Sequence, residues 1–343
     1  MSNTHAESSA AAFNAVKSNI GMVHVPDQRL HELARIQPTK RIVFTAVEFV
    51  DIPGLAKGSS TGAGVGNKFL ADIRNADALI HVLRCFDDDN LPHIDGSVNP
   101  VRDMETVDLE LQVRDLESVE KKMTKTLKLM KTGDKSAGKV MDVLEKYHNH
   151  LESFRSARSI EIDEQDKKHV ADLYLLSGKP VIYVCNVDEA SAVDGNKYSD
   201  QVKNVLGNDA EVLNLAAQVE AEIAELENDE DRLAFLHDAG LSEPGVNKLI
   251  RAAYKLLRLE TFFTIGPKEV RAWTISEGMT ARQAAGVIHS DLERGFIRAE
   301  VIKYDDLVAM GSEAACREKG KISIEGRNYI VKDGDIMNIR FNV

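Results

Sequence analysis

Residues 47–74 read VEFVDIPGLAKGSSTGAGVGNKFLADIR, with five glycines between an apolar run and a helix-favouring segment. Glycine at this density is costly for folding unless the backbone must bend or approach a ligand closely. In nucleoside-triphosphate switches, the aspartate of Asp-x-x-Gly holds Mg²⁺ through water, and the glycine amide reaches the γ-phosphate. The stretch therefore predicts either a phosphate-sensing loop, with Asp51 at the metal and Gly54 at the phosphate, or a flexible surface loop.

Short apolar strands that alternate with helical segments predict an α/β fold. Four runs have strand character, at residues 41–50, 76–86, 180–189 and, more weakly, 210–217. This alternation is typical of a mostly parallel sheet with helices on both faces, as in P-loop nucleotide-binding proteins. Ligands bind such sheets at the carboxyl ends of the strands. The loop after Asp51 and the turn at residues 186–189 both follow predicted strand ends.

The turn Asn186-Val187-Asp188-Glu189 lies where a nucleotide-binding sheet reads the base. The guanine-reading version is Asn-Lys-x-Asp, whose aspartate accepts hydrogen bonds from guanine N1–H and the 2-amino group. Here Val187 and Glu189 replace the lysine and the aspartate. The longer side chain of Glu189 displaces the carboxylate, so we expect guanine preference to be lost. The alternative is a strand-end turn that caps the next helix.

Residues 105–176 have a helical pattern. Apolar residues at three- and four-residue steps on both sides of a break at 131–136 predict an antiparallel helical hairpin, or an ordinary helical pair on the sheet. Five lysines of the first helix form either an RNA-contacting surface or a solvated helix face: Lys121, Lys122, Lys125, Lys128 and Lys131. Beyond residue 259, strand-like stretches surround a helix that Thr280 caps, which predicts a small mixed sheet around one helix.

Composition limits the class of protein. The net charge is −12, which argues against indiscriminate binding of polyanions such as DNA but allows a local basic face. Three distant cysteines are typical of reduced intracellular thiols, and Cys316, in a polar stretch, is predicted to be the most exposed and a candidate for redox sensing. Without a membrane-length apolar run or a signal-peptide pattern, a cytoplasmic location and no membrane partner are expected.

Together, these motifs resemble one family over most of the chain. The blocks NIGMVHVPDQRLHELARI, VEFVDIPGLAKGSSTGAGVGNKFLADIRNADALIHVLRCF, NVDE and DGDIMNIRFNV look like those of the Obg-like ATPases, the YchF family. The resemblance implies a P-loop nucleotide-binding domain at residues 1–104 and 177–258 and an inserted helical hairpin at 105–176. It also implies a C-terminal ubiquitin-like (β-grasp) TGS domain at 259–343.

The resemblance also implies an activity and a site. Family members prefer ATP to GTP and associate with ribosomes or ribosomal RNA, and some are linked to stress responses. ATP hydrolysis with Mg²⁺ at the ribosome is therefore expected; the alternatives are a nucleotide-independent ribosome- or RNA-binding module and an inactive remnant. The nucleotide-binding residues that match the family motifs are Gly54, Asn186, Val187, Glu189, Ala216 and Ala217, with Asp51 at Mg²⁺ through water.

The chain departs from the family at the phosphate-binding loop. Gly-x-x-x-x-Gly-Lys-Ser/Thr does not occur in the 343 residues; the corresponding segment is SSAAAFNAV (8–16), with Ser9 at the lysine position, and most of switch I is missing after Lys17. Losing three charge-assisted hydrogen bonds, each worth roughly 1.5–3 kcal/mol, would weaken triphosphate binding by about three orders of magnitude or more. Three explanations stay open: an incomplete gene sequence, an altered polypeptide, and a natural relative that has lost nucleotide hydrolysis.

Overall fold

A computed structural model describes residues 19–52 and 71–342, and the contacts within the chain divide it into two compact units. The first unit comprises Met1–Ile20 and Val50–Leu249, and the second comprises Gly21–Phe49 and Ile250–Val343. The segment Gly21–Phe49 thus packs with the C-terminal residues, although the sequence places it in the nucleotide-binding domain. The three-domain organisation itself stays a prediction.

The strands and helices follow the apolar patterns of the sequence. The strands are β1 (Asn19–His24), β2 (Ile42–Val43), β3 (Ala46–Asp51), β4 (Leu79–Arg84), β5 (Val181–Asn186), β6 (Glu211–Leu215), β7 (Leu259–Thr264), β8 (Val270–Ser276), β9 (Phe296–Lys303), β10 (Ile322–Glu325) and β11 (Asp335–Phe341). The helices are α1 (Arg29–Ile36), α2 (Pro100–Lys131), α3 (Ala137–Glu152), α4 (Glu164–Lys167), α5 (Lys197–Leu206), α6 (Ala217–Glu225), α7 (Asp229–Asp238), α8 (Gly245–Leu256), α9 (Ala281–Ile288), α10 (Ser290–Arg294), α11 (Tyr304–Met310) and α12 (Glu313–Glu318). Among these described helices, none is both long and apolar enough to cross a membrane.

The first unit contains a three-stranded parallel sheet in the order β4-β5-β6. The central strand β5 is the most buried of the three, and Cys85 and Cys185 lie fully buried in the adjoining core. A parallel strand buried on both faces needs helices above and below it. The predicted parallel α/β sheet is therefore confirmed, and both cysteines are packing residues of its core.

Helices α2 and α3 form the predicted antiparallel hairpin. The side chain of Asn99 accepts a hydrogen bond from the Arg102 amide and starts α2, with Pro100 in the first turn, where its missing N–H costs nothing. Between the helices, Val119, Val143 and Leu144 are almost fully buried. The first helix begins at Pro100, five residues before the predicted boundary at 105. That boundary left the Asn99-Pro100 start of the helix in the nucleotide-binding domain.

A buried carboxylate fastens the base of the hairpin. Asp115 is 2% exposed, and its side chain accepts hydrogen bonds from the Leu176 amide, the Ser177 amide and the Ser177 hydroxyl, each 2.7 Å long. Burial raises the pKa of Asp115, and the hydrogen bonds from Ser177 and Leu176 oppose that rise. This bridge fixes α2 to the segment that leads into β5.

The second unit contains a six-stranded mixed sheet in the order β10-β9-β11-β7-β8-β2. Helix α9 covers one face through Ala281, Ala284 and Ala285, which are fully buried. Thr280 caps α9 as predicted, by accepting a hydrogen bond from the Gln283 amide while the Gln283 side chain accepts one from the Thr280 amide. The predicted mixed sheet around one helix is confirmed.

The other face of this sheet is covered by α1, α11 and α12. Leu30 and Leu33 of α1 are fully buried against a cluster that includes Phe263 and Leu307. Polar contacts hold α1 in place, because Arg29 Nη1 lies 2.6 Å from Asp333 Oδ2 and the Tyr304 hydroxyl donates to Glu32. The N-terminal segment therefore completes the core of the C-terminal sheet.

Two predictions in this region are wrong. The run at residues 41–50 is not one strand: β2 pairs parallel with β8, whereas β3 pairs with β1 in a separate two-stranded sheet. Cys316 is fully buried rather than exposed, because Ser312 caps α12 and the helical turn directs Cys316 into the cluster beneath the sheet. Burial also raises the pKa of its thiol, which disfavours the reactive thiolate.

Asp115→Ala should destabilise the first unit by about 3 kcal/mol, because two buried amides lose their only described acceptor. Urea unfolding followed by circular dichroism measures this loss. The matched control Asp142→Ala, at an exposed position of α3, should change stability by less than about 0.5 kcal/mol. Equal stabilities of the two variants would contradict the bridging role of Asp115.

Leu33→Ala should lower the unfolding free energy of the second unit by about 2–5 kcal/mol, because it opens a cavity under the C-terminal sheet. Trp273 is the only tryptophan of the chain and stacks on Phe262 in that sheet, so its fluorescence reports the unfolding of the second unit. Leu233→Ala, at a position that is 65% exposed in the first unit, is the control. An unchanged fluorescence midpoint for Leu33→Ala would show that α1 is not part of this core.

Candidate functional site

The carboxyl ends of β4, β5 and β6 lie level with one another. Arg84 pairs with Asn186, and Asn186 pairs with Leu215, so the last residues of the three strands are neighbours in the sheet. Backbone hydrogen bonds extend this register past the strand ends, from the Cys85 amide to the Asn186 carbonyl and from the Val187 amide to the Leu215 carbonyl. This edge is where a parallel α/β sheet binds its ligands.

The side chain of Asn186 joins two of the predicted nucleotide loops. Its Oδ1 atom accepts a hydrogen bond from the Ala217 amide at 3.0 Å, at the start of α6. Ala216 is buried beneath this contact, and Ala217 is exposed. The structure thus brings together Asn186, Ala216 and Ala217, which lie about 30 residues apart in sequence.

The other residues of the turn have separate roles. Val187 is 3% exposed and its amide already donates to the Leu215 carbonyl, so its contact to a nucleotide stays a prediction. Asp188 accepts hydrogen bonds from the amide and the hydroxyl of Ser191, and it caps a short 3-10 helix, Glu189–Ser191. Capping was the alternative interpretation of this turn, and it holds for Asp188. Glu189 is exposed and has no side-chain partner among the described residues.

Two residues that sequence reasoning missed hold the turn against the sheet. Asn196 donates from Nδ2 to the Cys85 carbonyl at 2.7 Å, and its Oδ1 accepts from the first amides of α5. Gly195 has a φ of +81°, and a Cβ atom there would collide with Ser199 Oγ and Asn214 Nδ2. The signal in the sequence was the Asp194-Gly195-Asn196 triplet before a helical pattern, which is typical of a turn followed by an N-cap.

Asp51 and Gly54 form the remaining part of the predicted site. Asp51 is exposed at the end of β3, as the sequence predicts. Its carboxylate has no side-chain partner among the described residues, so it is available to a hydrated cation. Gly54 and the rest of the glycine-rich stretch lie outside the described residues, and so do Ser9 and the segment 8–16. Their roles stay predictions.

A cluster of His93, Asp95 and Asp103 has potential metal-ligand atoms within 4.8 Å of one another. Arg102 lies among them, with Nη2 at 2.9 Å from Asp103 Oδ1 and Nε at 3.8 Å from Asp95 Oδ2. His93 Nε2 is itself 2.9 Å from Asp103 Oδ2. The guanidinium therefore pairs with both carboxylates and offsets one of their two negative charges, and the cluster is an ion-pair network at the start of α2.

Comparison with known proteins identifies the family of this chain. A family profile described as YchF-GTPase_C matches residues 259–342, and one described as a 50S ribosome-binding GTPase matches residues 1–131. The "Ribosome-binding ATPase YchF" of Bacillus subtilis (strain 168) is 47% identical over 341 residues, covering 98% of this chain and 93% of the relative. This chain belongs to the YchF family. The Escherichia coli O157:H7 protein of the same name is 46% identical, covering 96% of this chain and 91% of its own length.

A solved structure of the YchF family has the same fold. The Schizosaccharomyces pombe YchF GTPase superimposes with a TM-score of 0.85 and is 33% identical, covering 94% of this chain and 87% of the fungal chain. The predicted family and the predicted α/β fold are therefore both confirmed.

Gly195→Ala should destabilise the first unit by about 2–3 kcal/mol, since the added Cβ meets two side chains and the residue needs a positive φ. Gly96 also has a positive φ, of +77°, but open space around its Cβ position. Gly96→Ala therefore measures only the free-energy cost of placing alanine at a positive φ. That control should cost about 1–2 kcal/mol. Thermal unfolding by calorimetry compares the two; a smaller loss at Gly195 than at Gly96 would refute the close packing of this turn.

Proposed function

We propose that this YchF-family chain binds ATP in preference to GTP at the ends of β4, β5 and β6 and acts with the ribosome in translation or in a stress response. The observation that carries the proposal is the hydrogen bond between Asn186 Oδ1 and the Ala217 amide. It holds the two base-contacting loops in one place without any ligand. The family relationship supports the same activity, because the bacterial relatives are named ribosome-binding ATPases.

Preference for adenine follows from Glu189. An aspartate at this position would present its carboxylate to the N1–H and 2-amino donors of guanine. Glu189 has one more methylene, is exposed, and has no described partner that would hold its carboxylate in that place. Adenine has neither of those donors, so its binding loses nothing from the replacement. Preference for guanine therefore falls, as expected when a specific hydrogen-bonding group is removed from a site.

Mg²⁺ would be held by Asp51. A single exposed carboxylate without a described partner fits a hydrated Mg²⁺ ion, which keeps several waters and needs one or two protein carboxylates. When bound, the ion would neutralise charge on the triphosphate. The Asp51 carboxylate would hold the hydrated ion, and the turn at 186–189 would orient the purine.

Binding energy in this chain comes mainly from the base and not from the phosphates. The sequence supplies no Walker-type lysine, and its glycine-rich stretch after Asp51 is the remaining phosphate-facing candidate. A triphosphate usually binds more tightly than a nucleoside largely because of the phosphate-binding loop that carries this lysine. We therefore expect weak, base-driven binding, with slow hydrolysis or none.

Isothermal titration with ATP, GTP and adenosine tests the proposal. ATP and adenosine should bind within about tenfold of each other, since about three charge-assisted phosphate contacts are missing. GTP should bind more weakly than ATP. Absence of heat with every ligand at millimolar concentration, together with retained ribosome co-sedimentation, would favour the nucleotide-independent binding module instead.

Two substitutions locate the base site. Asn186→Ala should weaken both nucleotides by about tenfold, because the Ala217 loop loses its anchor. Glu189→Asp should strengthen GTP relative to ATP. Asn204→Ala, at an exposed position of α5, is the control and should leave both affinities unchanged. A parallel loss in the Asn204 and Asn186 variants would place the nucleotide elsewhere.

A further inference from the structure

Charge is segregated along the hairpin of the first unit. The first part of α2, residues 100–120, contains seven acidic residues and two arginines. From Lys121 to Lys139, around the end of α2 and the turn, there are seven lysines and one aspartate, Asp134. This stretch is strongly basic in a chain whose net charge is −12. The basic end lies far from the sheet, because α2 is about 48 Å long.

Only some of these lysines form ion pairs with other described residues. Lys121 lies 3.8 Å from Glu117, Lys122 pairs with Asp172, and Lys139 lies 3.1 Å from Asp166. The other four are exposed, and their side chains form no hydrogen bond or ion pair with any described residue. They are Lys125, Lys128, Lys131 and Lys135.

The unpaired lysines of α2 lie on one side of the helix. At 100° per residue, Lys125, Lys128 and Lys131 fall within an arc of about 120°. Like charges three residues apart destabilise a helix by about 0.2–0.5 kcal/mol per pair. The helix dipole favours cations within the last turn, which contains Lys128 and Lys131, but Lys125 lies before it. Helix stability therefore does not explain the extension of the unpaired lysines back to Lys125.

We propose that these four lysines, the tip surface, bind the phosphate backbone of RNA. The inference rests on the proposed ribosomal role and names the part of the chain that makes the contact. Lysine recognises phosphate as a point charge, without reading sequence. Leu127 and Leu129, which are 48% and 50% exposed, flank the lysines and can pack against ribose. A tip made of two protein helices is narrow enough to approach a folded RNA between the helices of that RNA.

The composition of the tip favours RNA over a membrane. Amphipathic helices that bind membranes bury a broad apolar face that is rich in tryptophan, phenylalanine and leucine. Residues 121–139 contain no aromatic residue, and their apolar side chains do not form such a face. The lack of aromatic side chains also argues against stacking on single-stranded bases. Backbone contact to structured RNA is the mode that remains.

Two triple variants of the full chain test the tip surface. The test variant is Lys125→Gln, Lys128→Gln, Lys131→Gln. The control is Lys139→Gln, Lys146→Gln, Lys167→Gln, which removes the same charge from lysines that lie within 4.0 Å of Asp166 or Glu164. Glutamine and lysine have similar helix propensities, so both variants should keep the wild-type circular dichroism and melting temperature. Binding to a fluorescently labelled RNA duplex is measured by anisotropy over a range of salt concentrations.

The test variant should bind the duplex at least about tenfold more weakly, and the slope of log affinity against log salt should fall by about 2–3. The control should change affinity by less than about twofold. Equal losses in both variants would show a net-charge effect and overturn the proposal, as would binding of wild type to phosphatidylglycerol vesicles but not to RNA.

Ribosome co-sedimentation separates this inference from the proposed function. If the wild-type chain does not sediment with ribosomes, the proposed ribosomal role fails. If the wild type sediments and the test variant sediments equally well at all salt concentrations, the ribosomal role survives and the tip surface is not the contact. Loss of sedimentation in the test variant alone supports the proposal.

Discussion

The candidate site depends on the hydrogen-bonded register of β4, β5 and β6. This register sets Arg84, Asn186 and Leu215 side by side, so that the turn after β5 lies next to the start of α6. A slip of one residue would turn Asn186 to the opposite face of the sheet. The Asn186 contact to the Ala217 amide would then be lost. The geometry of the base loops is thus a consequence of strand pairing within a buried parallel sheet, and the loops themselves add only the final polar contacts.

Features with a local signal could be predicted from the sequence. The hairpin follows from apolar residues at helical spacing, the parallel strands from short apolar runs, and the α9 cap from Thr280. The placement of Gly21–Phe49 could not be predicted, because its partners lie more than 200 residues away, as in the pairing of Ile42 with Val270. Cys316 was misjudged because its neighbours in sequence are polar. The position of the residue on α12, set by the Ser312 cap, decides its burial instead.

The residue types of the candidate site could be predicted from the sequence, but the contact that each residue makes could not. In the turn at 186–189, Asp188 caps the next helical turn, as the capping interpretation predicts, and Asn186 ties two loops together; base contact by this turn stays a prediction. The sequence contains no information on which carbonyl Asn196 would reach, because the Cys85 carbonyl lies 111 residues away. Side-chain contacts across a sheet edge are determined by tertiary structure, and a single sequence does not encode them in a local pattern.

The discontinuity of the second unit has a consequence for its biosynthesis. Helix α1 and strand β2 emerge from the ribosome early, yet the other five strands of the sheet that β2 joins and α1 covers come from residues 250–343. At about 5–20 residues per second, Leu30 and Leu33 wait on the order of 15–60 s for their partners. During that interval the apolar face of α1 lacks its native partners in the sheet. It is then open to contact with chaperones or with non-native apolar surfaces. Final assembly of this core must therefore wait until β11 has been synthesised.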